Sequence, residues 1–248
     1  MIVDCHTHWG AEWQERDGLE PTRWLREFDR HGVTHAIVLP HLGLIDAGNI
    51  PSDNDAVATV CAKSKGRMLP FCTVNIWQPE TALSELSRCL VQLNFQGIKF
   101  HPWLQGCSVS DPIMDQVADV AGTAGVPVFF HDGTPPFSLP SQMALLAKRH
   151  PKTQIVLGHT GLFEHWRESI AAIQSAPNVW GCMCSPHLAA LKAILQGSDL
   201  SRLIWGSDQG WTSNDFIDYR LSLMDCLGLT NQQHQAIFSE NPRRLLGI

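Results

Sequence analysis

The sequence predicts an α/β protein of the TIM-like (β/α)8 barrel type, and three observations carry that expectation. Eight short apolar runs with strand character are each followed by a run of helical periodicity. The 248 residues suit one such unit, read as a single domain over 1–248. Polar residues gather at the ends of the first, fourth, fifth, sixth and eighth strands: His6 and His8, Lys99 and His101, His131, His159, and Asp208. An open doubly wound sheet would draw its functional residues from two or three strand ends at a switch point, whereas a closed barrel brings all of these together.

The opening run, Met1-Ile2-Val3-Asp4-Cys5-His6-Thr7-His8, reads as a buried strand. Strict alternation puts His6 and His8 on one face with Asp4 deeper on it, and Cys5 and Thr7 opposite. Helical spacing of Trp24, Leu25 and Phe28 predicts a helix over 21–32, stopped by Gly32. A compact apolar run over 34–39 ends at Pro40, and Asp53-Asn54-Asp55 supplies a helix start for 56–64. The alternation continues with strands over 69–75, 97–101, 126–131, 154–159, 179–184 and 203–207. Helices are expected between them over 80–94, 113–124, 139–150, 163–175 and 188–196, and at the end over 214–227 and 231–245.

Charged residues make up 17% of the chain and hydrophobic ones 44%, which suits a fully folded globular protein. A net charge of -6 with no Lys/Arg run argues against a nucleic-acid groove or a membrane-binding patch and for a small-molecule partner. No apolar run approaches a spanning helix, and a strand beginning at Ile2 leaves no room for a signal peptide, so a cytoplasmic location is expected. The eight cysteines show no C-x-x-C pair and read as small buried hydrophobes, Cys182-x-Cys184 included. Assembly into a homo-oligomer is left open.

His131 and His159 each end a strand beside a glycine, in His131-Asp132-Gly133 and Gly158-His159-Thr160-Gly161, and Asp208 follows the eighth strand. Each residue has a plain alternative: a surface histidine in the first two cases, and in the third a helix cap, a role Ser213 or Asn214 could take instead. Together, imidazole and carboxylate donors suit zinc or a related divalent ion with one position open for water.

These residues resemble the amidohydrolase superfamily. Gly97-Ile98-Lys99-Phe100-His101-Pro102 and the closing Glu240-Asn241-Pro242-Arg243-Arg244-Leu245-Leu246-Gly247 resemble its amidohydrolase-related branch, which includes aminocarboxymuconate semialdehyde decarboxylase. The resemblance covers essentially the whole chain. It implies a distorted (β/α)8 barrel of the metal-dependent hydrolase type, with one divalent ion, zinc being the usual one, held by His6, His8, His131 and Asp208. It also implies His159 beside the metal as acid/base or electrophilic aid, and Asp208 in proton transfer. Binuclear members bridge two metals with a carbamylated lysine, a role open to Lys99 beside those of a substrate contact or an ion pair.

The expected reaction is hydrolysis of a C–N or C–O bond (amide, lactone or ester) by a metal-activated water, with metal-dependent decarboxylation of a small, aromatic or other carboxylic acid as the alternative. Lys99, His101 and His41 are expected to make the pocket cationic and the substrate anionic, with Lys99, His101 and Trp211 contacting it. Asp4 is expected to hold a ligand imidazole by its second nitrogen. Trp9, Trp103 and Trp211 either stack on a substrate ring or pack the barrel rim.

Overall fold

Parallel pairing needs a crossover long enough to hold a helix, and the chain supplies one after nearly every strand. A computed structural model describes residues 1–212 and 216–248. β1 (Ile2–His8), β2 (Val33–Leu39) and β3 (Met68–Pro70) pair in parallel in that order. So do β4 (Ile98–Phe100), β5 (Val128–Phe130), β6 (Ile155–Leu157), β7 (Val179–Cys182) and β8 (Leu203–Ile204). Backbone hydrogen bonds beyond these ladders join the two groups at both seams. Cys72 and Lys99 link β3 to β4 through Cys72 N–H to Gly97 O (3.0 Å) and Lys99 N–H to Cys72 O (2.6 Å). Across the other seam, Cys5 donates to Trp205 O (2.9 Å), Asp208 to His6 O (2.7 Å) and His8 to Gln209 O (2.7 Å).

The helices are α1 (Ala11–Asp17), α2 (Thr22–His31), α3 (Leu42–Ile45), α4 (Ile50–Ala62), α5 (Pro79–Ser87), α6 (Ile113–Ala124), α7 (Pro140–Arg149), α8 (Trp166–Ser175), α9 (Leu188–Gly197), α10 (Ile217–Asp225), α11 (Asn231–Gln235) and α12 (Asn241–Leu246). Gly32 ends α2 as expected, adopting a φ of 69° that only glycine takes without strain and donating to the last carbonyls. No helix among the described residues is long and apolar enough to cross a membrane.

Several boundaries move for physical reasons. α4 begins at Ile50 rather than after Asp53, with Pro51 in its first turn, because the Asp53 carboxylate is used elsewhere. The strand expected over 69–75 pairs regularly only at Met68–Pro70 and continues as a single bridge at Cys72. The run expected as one helix over 80–94 loosens after Ser87 into a π-turn over Arg88–Gln92. The expected helix start at Asn214, and the cap offered by Ser213 or Asn214, lie outside the described residues.

Two buried layers hold the barrel. Ala36, Val38, Ile98, Phe100, Val128, Phe130, Ile155 and Leu157 face outward to the helices. Val3, Cys5, Ile37, Phe71, Phe129, Val156, Cys182 and Ile204 fill the interior. Burial of each large apolar side chain contributes about 1.5–3 kcal/mol. β1 changes face partway: Asp4 pairs with Ala36 but Thr7 with Val38, so three residues of β1 span two of β2. That extra residue is a bulge. It lets Val3 and Cys5 fill the interior and still turns His6 and His8 toward the mouth, which strict alternation does not allow.

Candidate active site

The site is assembled from strand ends at the carboxyl end of the barrel. His6 and His8 are fully buried at the end of β1. Each commits one ring nitrogen to a backbone carbonyl: His6 Nδ1 to Gly158 O (3.1 Å) and His8 Nδ1 to Pro40 O (2.8 Å). A carbonyl only accepts, so each Nδ1 carries the proton and each Nε2 presents a lone pair. Burial, with Lys99 the next cause, holds both imidazoles well below the usual histidine pKa and so neutral.

Those two lone pairs converge with a carboxylate. His6 Nε2 lies 3.3 Å from His8 Nε2, and Asp208 Oδ1 lies 3.3 Å from the first and 3.5 Å from the second. Three acceptors face one another, with the Lys99 ammonium as a nearby donor, 3.3 Å from His6 Nε2. Ligands about 2.1 Å from a tetrahedral cation stand about 3.4 Å apart, so this donor set fits a divalent ion. Asp208 sits at a φ of 64°, a strained conformation for a residue other than glycine, and its backbone N–H donates to His6 O.

The remaining residues separate by role. His131 stands outside the triad of close ligand atoms formed by His6, His8 and Asp208. Its ring stacks on His101 with centroids 3.8 Å apart and meets His159 edge-on at 4.3 Å. His159 Nδ1 is 2.6 Å from Ser185 Oγ, which fixes the ring. The Cys184 sulfur, with nitrogens of His6 and His159, forms a second buried cluster; burial raises its thiol pKa and keeps it protonated. A cavity of about 340 Å3 opens over these groups, lined by His8, His101, Trp103, His131, His159, Asp208 and Trp211 among others. Trp211 stands edge-on to His8 at 4.8 Å and tilted to His41 at 4.4 Å.

Three expectations change, for Asp4, His41 and His101, and the alternative left open for Trp9 is decided. Asp4 touches no imidazole; its carboxylate accepts from the backbone N–H of His6 (3.1 Å), the backbone N–H of Ser207 (2.9 Å) and Ser207 Oγ (2.5 Å), locking β1 to β8. Trp9 is fully buried against Trp24, so it packs the rim rather than facing a ligand. His41 accepts the Ala11 N–H through Nδ1, and burial lowers its pKa. Burial also pushes His101 down to about 3, with Lys99 the second cause. Of the three expected cations only Lys99 keeps a charge near neutrality, with its pKa lowered by burial to about 8.

Residue patterns alone missed the groups that brace the site. Asp132 accepts from the backbone of His159 and Gly161, both at 2.6 Å, and holds the turn after β6. Asp53 does the same after β2, accepting from His41 N–H (2.8 Å) and Gly43 N–H (2.9 Å). The adjacency of Asp132 to His131 was the one signal available; nothing local marks Asp53 or Ser185.

A parallel α/β barrel whose carboxyl-end mouth gathers two neutral imidazoles, a strained aspartate and a buried lysine defines a barrel of the metal-dependent enzyme class. The chain belongs to the Amidohydrolase family, whose model matches residues 3–248. A search by sequence against curated proteins returns no match. Among solved structures the chain is similar to 2,6-dihydroxybenzoate decarboxylase from Rhizobium, with 16% identity, a TM-score of 0.75, and coverage of 99% of this chain and 98% of that one. It is similar to 4-oxalomesaconate hydratase from Rhodopseudomonas palustris, with 16% identity, a TM-score of 0.75, and coverage of 100% and 96%. It is also similar to a dihydroxybenzoic acid decarboxylase from Polaromonas, solved with manganese and the inhibitor 2-nitroresorcinol, with 15% identity, a TM-score of 0.75, and coverage of 99% and 96%.

Proposed function

We propose that the protein is a metal-dependent, non-oxidative decarboxylase of a small aromatic carboxylic acid. The observation that carries this reading is the cavity itself: Trp103, Trp211 and the stacked His101–His131 pair wall a space of about 340 Å3 directly over His159 and Asp208. Flat aromatic walls suit a flat anion. The decarboxylases of dihydroxybenzoates that share this fold support the same substrate class.

In this reading His6, His8 and Asp208 would hold one divalent cation, with His131 as a further ligand. A cation held there would supply electrophilic polarisation of the substrate's oxygens. Lys99, buried under the site, adds a positive charge that favours binding of the carboxylate. Trp211 and His101 orient the ring. A proton taken up from solvent passes through Asp208 and His159 to the ring carbon bearing the carboxylate, and the C–C bond to that carboxylate breaks with release of CO2. Its electron pair restores the aromatic ring. Ser185 fixes the His159 ring so that its other nitrogen faces the cavity.

Hydrolysis of an amide, lactone or ester draws on the same residues, and the description of the matched family keeps it as the second reading. The test loads the protein with manganese or zinc and follows CO2 release from a panel of hydroxybenzoates beside hydrolysis of lactones and amides. Decarboxylation is expected, and Asp208→Asn should abolish it by more than about 100-fold while the fold survives, since Asn tolerates a positive φ. Hydrolysis without any CO2 release would replace this reading with the second.

A further inference from the structure

A groove of about 220 Å3 runs beside the catalytic cavity, over the loops that follow β2, β3 and β4. Leu104 lines both spaces, so the two adjoin at that side chain. Ile50 and Ile76 form a buried floor, while Ile45 and Trp77 stand 54% and 64% exposed along its sides. Large exposed apolar residues along a groove that adjoins a reaction cavity leave a surface that water covers poorly.

The groove is also fixed in place. Gln105 donates from Nε2 to Thr73 Oγ1 (3.1 Å) and Val74 O (3.3 Å), and accepts the His101 N–H at 2.8 Å. The Trp77 indole donates to Gln105 O at 2.9 Å, and its backbone N–H to Asn75 Oδ1 at 3.1 Å. The same side chain that carries the groove therefore anchors the backbone of His101 in the catalytic cavity. Such a prebuilt surface costs little ordering on binding. Asp46 is the one charged residue along it among the described residues, and it is acidic. A second carboxylate is disfavoured there.

We propose that this groove is a substrate subsite, and that the acid acted on carries a neutral apolar substituent, aryl or alkyl, that passes Leu104 and lies between Ile45 and Trp77. This rests on the carboxylic-acid substrate proposed for the adjoining cavity. The volume accommodates about seven water-sized atoms at about 30 Å3 each, the size of a phenyl group or a short alkyl chain.

Isothermal titration of the manganese-loaded full chain tests it with benzoate, biphenyl-3-carboxylate, biphenyl-4-carboxylate and biphenyl-4,4′-dicarboxylate as probes. At least one biphenyl monoacid should bind tenfold or more tightly than benzoate, and the diacid should show no such gain. Ile45→Asn and Trp77→Ala, both at exposed positions, should each lower the ratio of biphenyl to benzoate affinity at least fivefold. Equal affinity of the biphenyl monoacids and benzoate, absence of binding by the biphenyl monoacids, or a ratio unmoved by both variants overturns the subsite. Assays of CO2 release separate the two ideas. An affinity gain without CO2 release from any hydroxybenzoate removes the decarboxylase reading and leaves the groove, whereas CO2 release without the gain removes the groove alone.

Discussion

Ser185 shows how much of the proposed chemistry depends on a side chain no motif announces. Its hydroxyl stands 2.6 Å from His159 Nδ1 and sets which face of that imidazole looks into the cavity. Ser185→Ala should lower kcat about 10–100-fold, with metal content and KM close to those of the parent, because the lost contact orients the acid/base group of the proposed mechanism and is made to none of the proposed metal ligands. Inductively coupled plasma analysis beside steady-state kinetics checks it, and a parallel loss of metal would assign Ser185 to the metal shell instead. The residues that were legible in the sequence are those whose chemistry is carried by type and strand-end position: His6, His8, His159 and Asp208. Those that were not, Asp132, Asp53 and Ser185, act through bonds to atoms 27–29, 10–12 and 26 residues away in the chain. The neutral state of His41 and His101 was likewise invisible, since it follows from burial.

Among the elements, β1 and β8 decide whether the site exists. Alternation along β1 predicted the joint direction of His6 and His8 correctly, yet misplaced Asp4 relative to them, because the bulge is a property of pairing with β2 and not of β1 alone. Gly206 lets β8 approach: a Cβ there would lie 2.6 Å from His6 Cβ and 2.9 Å from both His6 N and Cys182 Sγ. Gly206→Ala should therefore push β8 off β1, destabilise the fold by about 1–3 kcal/mol in urea titration, and lower metal occupancy. An unchanged occupancy would show that the seam tolerates the shift. On the far side, Asp115 of α6 accepts from Arg149 Nε at 2.8 Å and pairs with His150 Nε2 at 2.6 Å, tying α6 to α7. Arg149, then His150, holds the Asp115 carboxyl below 3.8. A depressed carboxyl adds stability above the unfolded value and loses it as pH falls through the folded one. The parent should exceed Asp115→Asn near pH 6 by about a few tenths of a kcal/mol after solvent screening, and the difference should vanish in strong acid.

For the molecule as a whole, the eight-strand barrel follows from the apolar runs, and the reaction does not, because hydrolysis and decarboxylation draw on one set of imidazoles and carboxylates. The same set makes the cation part of the fold's stability. Three of the ligands proposed for it, His6, His8 and Asp208, lie on β1 and after β8, the first and last strands, which meet through Cys5, His6 and His8 bonds at the seam. An ion that binds only when those strands are together stabilises the folded chain by about 2.7 kcal/mol at 100 times its dissociation constant. For a chain of this size about 1 kcal/mol moves Tm by about 2–4 °C, so removing the ion with a chelator should lower Tm by about 5–11 °C. Adding back manganese or zinc should restore it, and the ion giving the larger shift is the better fit to the site. Asp208→Asn separates this effect from general ion binding: it removes a ligand, so its Tm should be the same with metal and with chelator. A chelator shift that persists undiminished in Asp208→Asn would place the stabilising ion somewhere other than the β1–β8 seam.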